Sequence, residues 1–346
     1  MSSPLESLSA FEAFAAIQMP REQWEWVVGG AEGGRTLAQN RDQFRKYSLS
    51  TRLLTGVDRV SCATFYLGVA TSTPIVAAPL GHMTQFNEEG ELAIVRGCRS
   101  VGAHCVVSMH TRRSLELLAV EAGASGWSYQ IYLYSDLRTV ISQSRRAVDL
   151  GAASIVVTAG SGHRSPSYQR QQFPWDARRK GQRDEPDLPE SRNDRTWTWS
   201  DLEKLCEAVR SPVVLKGIQS VEDARRALSS GVSGIWLSNH GGRDTETDHA
   251  LLQELPRIRE AVGLAMPIVI DGGFRTGSDV AKALLLGASN VAVGRPMIHG
   301  SVVAGDRGVS DVFQILTSET AAVLGSLGVG DVRGAFNHRS QVAVVH

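Results

Sequence analysis

Residues 267–294 read PIVIDGGFRTGSDVAKALLLGASNVAVG. Pro267–Asp271 is a short apolar, β-branched run that ends on a carboxylate and two glycines. Gly277–Leu286 carries the apolar spacing of a helix and stops at Gly287, and Asn290–Gly294 is a second apolar run. A run that is apolar at every position, without in/out alternation, is what a parallel strand buried on both faces requires. Parallel neighbours in turn need a crossover, usually a helix.

The same unit recurs upstream. Apolar runs lie at Pro74–Pro79, His104–Met109, Tyr129–Tyr134, Ser154–Thr158, Pro212–Lys216 and Gly234–Ser238. Helical patterns lie at Glu88–Val101, Ser114–Glu121, Leu137–Leu150, Ser200–Val209, Val221–Ser229 and His249–Val262, with a last one at Val309–Leu324. Several stop at a glycine (Gly102, Gly151, Gly231), a common helix terminator. Eight strand–helix units predict an α/β fold, a closed (β/α)8 TIM barrel. An open doubly wound sheet uses the same units, but no Gly-x-Gly-x-x-Gly follows the first run, and eight is the number for closure. The expectation is one barrel domain over 1–346, with 1–70 as an N-terminal helical segment closing its other end. Ser165–Asn193 is polar and non-periodic, so 161–199 is expected to form a lid-like loop after the fourth strand.

Composition narrows the function. The 346 residues balance 36 Lys+Arg against 36 Asp+Glu, which gives no electrostatic footprint for nucleic acid. No apolar run is long enough to span a bilayer, and the start, with Glu6 and Glu12, does not read as a signal peptide. Four isolated cysteines suggest reduced thiols rather than disulfides or a metal site. A cytoplasmic protein without a metal centre is expected.

Barrel chemistry sits at the C-terminal strand ends. Here those ends read Lys216-Gly217, Ser238-Asn239-His240-Gly241-Gly242-Arg243, Asp271-Gly272-Gly273-Phe274-Arg275 and Gly294-Arg295-Pro296. Gly272, Gly273, Arg275, Gly294 and Arg295 fit a phosphate site, or else are turn glycines and solvated arginines. His240 reads as a base, with Arg243 as a carboxylate grip and Lys216 as a neighbouring cation. The plainer alternatives are a core histidine and a structural ion pair.

The motifs SNHGGRD (238–244), DGGFRTGSDVAKALLLGA (271–288), VGRP (293–296), LKGI (215–218), YQIYLYSD (129–136) and GGAEGGRTLAQNRDQF (29–44) resemble the FMN-dependent 2-hydroxy-acid oxidase and dehydrogenase family. The likeness runs from about residue 10 to 335. It implies FMN at the barrel mouth, its phosphate on Arg275, Arg295, Gly272, Gly273 and Gly294, with Asp271 on the ribityl chain. Lys216 would face the N1/C2 edge, while Pro79, Leu80, Gly81, Ser108, Gln130, Thr158 and Ser238 would complete the cofactor site. Catalysis would use His240 as base, Arg243 on the substrate carboxylate and Tyr132 near the reacting oxygen. An acceptor, oxygen or another, and a homotetramer or octamer are implied with it.

The chain departs from that pattern on the substrate side. Trp26 stands where the family has a tyrosine, and Gly160 where it has the aspartate that orients the histidine. Arg164 lies in a shortened segment in place of a second carboxylate-binding arginine, and His110 replaces a tryptophan of the plant enzymes. The expected reaction is oxidation of a 2-hydroxy acid, larger than glycolate and biosynthetic in origin. Amine oxidation or oxidative decarboxylation is the alternative, and a flavin-binding module without catalysis is a remoter one.

Overall fold

The computed structural model describes residues 6–123, 126–133, 136–160 and 197–345. Arg164 and most of the expected 161–199 loop lie outside them.

The chain opens with three helices, α1 (Leu8–Gln18), α2 (Arg21–Val28) and α3 (Arg35–Asp42), then β1 (Tyr47–Leu49) and a hairpin of β2 (Thr64–Tyr66) and β3 (Val69–Thr71). Strand–helix units follow: β4 (Ile75–Leu80) and α4 (Glu91–Ser100); β5 (His104–Ser108) and α5 (Leu115–Ala122); β6 (Trp127–Tyr132) and α6 (Leu137–Asp149); β7 (Ile155–Thr158) and α7 (Trp199–Ala208). Next come β8 (Val213–Ile218) and α8 (Val221–Leu228), β9 (Gly234–Leu237) and α9 (Leu251–Val262), β10 (Ile268–Ile270) and α10 (Gly277–Leu285). The last are β11 (Asn290–Val293), α11 (Arg295–Ser326) and β12 (Val342–Val344), which pairs antiparallel with β1. Strands β4 to β11 close into an all-parallel barrel in chain order, with β11 beside β4. The expected TIM barrel is what the chain forms.

Side chains alternate along a strand. The barrel interior therefore repeats every second residue, and its middle is apolar: Val76, Val106, Val156, Val214, Trp236, Val269 and Ala292 pack in one buried cluster. Tyr66 from the hairpin joins that cluster and Leu67 packs against it, so the β2–β3 hairpin plugs the base. The leading segment is thus not purely helical. Its hairpin closes the far end, while α2 and α3 lie at the opposite, C-terminal end of the strands, where Gly242 O accepts from Ala31 N at 2.8 Å.

Two elements differ from expectation. β6 starts at Trp127, two residues early, because Ser128 hides its strand character; buried Ser128 bonds His104 Nε2 (2.8 Å) and Ser154 Oγ (2.7 Å). The final helix begins at Arg295, with a break at Ala304–Gly305. Pro296 and the glycines 300, 305 and 308 disguise its first turns. Proline is tolerated there because first-turn N–H groups have no intrahelical acceptor, and a Cβ on Gly300 would stand 2.5 Å from Gly308 O.

Candidate active site

Two residues beyond the apolar middle, the inward positions become polar: Val106 gives way to Ser108, Val156 to Thr158, Val214 to Lys216, Trp236 to Ser238 and Val269 to Asp271. These side chains are tied strand to strand. Ser108 Oγ donates to Gln130 Oε1 (2.9 Å), and Gln130 Nε2 to Thr158 Oγ1 (3.0 Å), across β5, β6 and β7. Lys216 Nζ bonds Ser238 Oγ and, at 2.7 Å, Asp271 Oδ2. Asp271 also accepts from Trp236 Nε1 (3.0 Å) and Ser238 Oγ (2.9 Å). The ion pair read as an alternative for Lys216 exists, and it stands in the mouth with both partners buried. A pair so placed is costly to break from one side, since the remaining charge would be buried alone.

The phosphate candidates gather where α2 ends. Arg295 Nε donates to Val27 O (2.8 Å), and its Nη2 to Gly29 O (3.0 Å) and Gly241 O (3.2 Å). Arg243 Nη2 bonds the carbonyls of Trp26 and Val27. A helix leaves its last carbonyls without intrahelical donors and carries partial negative charge at that end, so α2 is a natural seat for both guanidiniums. Burial pushes Arg275 down to about 10, aided by the charge of Arg41 and opposed by Glu12. Burial likewise holds Arg295 well below the ordinary guanidinium value, with Arg243, Arg275 and Arg41 adding to it. Arg275 Nε is buried and makes no hydrogen bond among the described residues; Glu12 Oε2 stands 3.7 Å away. Buried positive charge in excess, with a donor to spare, fits a phosphate.

The loop glycines have a second reason to be glycines. Gly272 (φ +107°) and Gly273 (φ +87°) are left-handed, and a Cβ on Gly273 would lie 1.7 Å from Asn40 O. α3 therefore presses on the phosphate loop directly.

The substrate-side residues come from turns. Gly81 runs tight against His110, and the His82 and His110 rings stack at 5.2 Å. His110 lies 5.2 Å from the ring of Tyr132, the last residue of β6, and Tyr132 lies 6.4 Å from the ring of His240. His240 Nδ1 is 2.9 Å from Asp244 Oδ2. Trp26 stacks on Phe86 at 5.6 Å and carries the Arg243 guanidinium 4.0 Å above its ring. The structure thus brings together all the predicted residues it describes at one end of the barrel. Sequence reasoning missed Asp244, Glu12, Asn40, His82 and Phe86. Asp244 lay inside the quoted SNHGGRD motif, four residues after the histidine.

The FMN-dependent dehydrogenase family model matches residues 15–339. The chain belongs to that family. FMN is its cofactor, and it is an oxidoreductase. A peroxisomal (S)-2-hydroxy-acid oxidase of Oryza sativa subsp. japonica is 32% identical over 340 residues, covering 93% of each chain. The structure of a lactate oxidase of Pediococcus acidilactici superposes with a TM-score of 0.90 at 27% identity, over all of this chain and 96% of that one. A mandelate oxidase structure gives 0.86 at 30%, covering 99% of this chain and 98% of its own. No helix among the described residues is long and apolar enough to cross a membrane.

Proposed function

We propose that the chain oxidises a 2-hydroxy acid, or a related α-substituted acid, to the 2-oxo product at the barrel mouth. The observation that carries this is His240, fixed through Nδ1 to a carboxylate, 6.4 Å from the ring of Tyr132, and bonded through its backbone N–H to Ser238, which also holds the buried Lys216. FMN supplies the two-electron sink. Arg275, Arg295 and the glycines 272, 273 and 294 would hold its phosphate, and Pro79 to Gly81, Ser108, Gln130 and Thr158 would line its ring. Ser238 and Asp271 position Lys216, whose ammonium would stabilise negative charge on the ring.

His240 takes the substrate proton through Nε2, since Nδ1 is engaged. Arg243, held through Nη2 on the last carbonyls of α2, grips the carboxylate with charge-assisted bonds from the rest of its guanidinium. Tyr132 donates toward the reacting oxygen. Trp26 supports Arg243 from below, so the contact a tyrosine hydroxyl would give is replaced by a platform for the guanidinium. The rings of His82, His110, Trp26 and Phe86 give this side of the site an aromatic lining, which favours a substrate that carries an apolar group over glycolate. The neighbours named for lactate and mandelate span that size range. His240→Ala should abolish anaerobic flavin reduction by substrate while FMN stays bound; a rate equal to the parent's would remove His240 from its role.

A further inference from the structure

We infer that Asp244 is the positioning residue of His240: it holds the imidazole in place and in the tautomer that leaves Nε2 unprotonated. The inference rests on His240 acting as the base. Its observations are independent of that role.

The pair is four residues apart but on no helix. His240, Gly241 and Gly242 have φ of +55°, +64° and +76°, three successive left-handed residues that fold the chain back and bring Asp244 alongside the ring. A histidine in this region is strained, and such strain persists only where the surroundings impose it. Here they do. His240 N donates to Ser238 Oγ (3.1 Å), and Gly242 N to Asn239 O (3.0 Å). Asn239 and Asn40 exchange two side-chain hydrogen bonds of 2.9 Å each. A Cβ on Gly242 would meet Leu37 N at 2.7 Å. Beyond the turn, Glu246 accepts from Gly33 N and Arg35 N, while Thr36 Oγ1 accepts from Thr247 N and Asp248 N. α3 and the loop before it therefore clamp both sides of the His240–Asp244 turn.

The pair is also sheltered. The Asp244 side chain is 13% exposed and that of His240 29%, so this is no freely solvated surface contact of small effect. Just past β7, Gly160 offers no side chain, and among the described residues nothing stands within 4 Å of where its Cβ would point. Asp244 thus gives the histidine a carboxylate that the β7 end cannot. Among the described residues, Tyr132 from β6 also faces the imidazole; Lys216 on β8 is committed to Asp271 and Ser238.

A carboxylate accepting from Nδ1–H fixes the ring's orientation and which nitrogen is free. Removing it should slow flavin reduction by about 10²-fold or more, as losing the orienter does in other His–Asp systems. The loss should fall on kcat, with KM nearly unchanged, because Asp244 acts through His240 and not on the substrate carboxylate. The experiment compares anaerobic flavin reduction across pH for the FMN-loaded parent, Asp244→Asn, Asp244→Glu and His240→Ala. Expected are an inactive His240→Ala, a slowed Asp244→Asn with a changed pH profile, and partial recovery in Asp244→Glu. An inactive His240→Ala beside an Asp244→Asn with the parent's rate and pH profile overturns the positioning role alone. An active His240→Ala overturns the base beneath it. Should Asp244→Asn fail to load FMN, 15N NMR of histidine-labelled parent protein decides. Neutral His240 carrying its proton on Nδ1 supports the inference, and the proton on Nε2 overturns it.

Discussion

At the ends of β8, β9 and β10 the mouth is tied strand to strand: Lys216, Ser238, Asp271 and Trp236 share one buried hydrogen-bonded group. Across the opening, Trp26 sits on α2, His82 and His110 on the turns after β4 and β5, and His240 with Asp244 on a left-handed turn held by the N-terminal segment. The cofactor half is thus part of the barrel wall, where a changed side chain would strand a buried charge. The substrate half hangs on connections that can change residue by residue without disturbing the sheet. This is why the departures from the family pattern, Trp26, His110 and Gly160, all fall on the second half.

The largest effect expected from this comparison is on cofactor retention. Replacing both Arg275 and Arg295 by alanine removes the charge-assisted bonds to phosphate and should weaken FMN binding by ~10³-fold. A fluorescence titration of FMN into apoprotein measures this, and parent-like affinity would mean that Arg295 serves only to brace α2 and Arg275 only to face Glu12 of α1.

Acid should separate the base of the barrel from its mouth. Burial lowers His104 to about 3, against an ordinary 6.5. Burial first, then the charge of Arg275, lowers His299 to about 4. Both favour the neutral form in the folded chain. Their stabilisation is complete above pH 6.5 and is lost as pH falls toward 3, because the unfolded chain takes up the protons first. For His104 the loss amounts to about 4 kcal/mol over that window. FMN should soften the part due to His299, by offsetting the arginines, and leave that of His104 unchanged. Denaturant midpoints of holo- and apoprotein between pH 7 and 4 test this; identical acid sensitivity would place the phosphate elsewhere.

The smallest change concerns Trp26. Trp26→Tyr weakens the support under Arg243, a contact of about 1 kcal/mol, and should raise KM roughly three- to ten-fold with kcat nearly unchanged. A lower KM instead would show the tyrosine hydroxyl working as a carboxylate ligand in this pocket.

The fold was legible because each barrel strand is buried on both faces and reads as an unbroken apolar run. Where a buried serine interrupted the run, at Ser128, the strand start was misplaced. Where glycines permit a close helix crossing, at Gly300 and Gly308, the helix start was misplaced too. Lys216, Ser238 and Asp271 were legible as residues of the mouth, since they are the strand-end continuations of core positions. The substrate half was not, because its geometry depends on contacts distant in sequence. Nothing local to Arg243 announces the carbonyls of Trp26 and Val27, and nothing local to Gly242 announces Leu37. The His240–Asp244 pair was hidden for another reason. Four-residue spacing suggests contact on a helix, and this stretch, with two glycines, does not read as one.

The most direct test of the proposed activity is the visible spectrum of the FMN-loaded protein under anaerobic conditions, with 2-hydroxy acids graded from glycolate through lactate to mandelate. Bleaching of the flavin bands, with the matching 2-oxo acid formed and the faster rates on the bulkier acids, is the predicted result. Bands that stay oxidised with every acid in the series would contradict it, and would turn the search to amines and decarboxylating substrates.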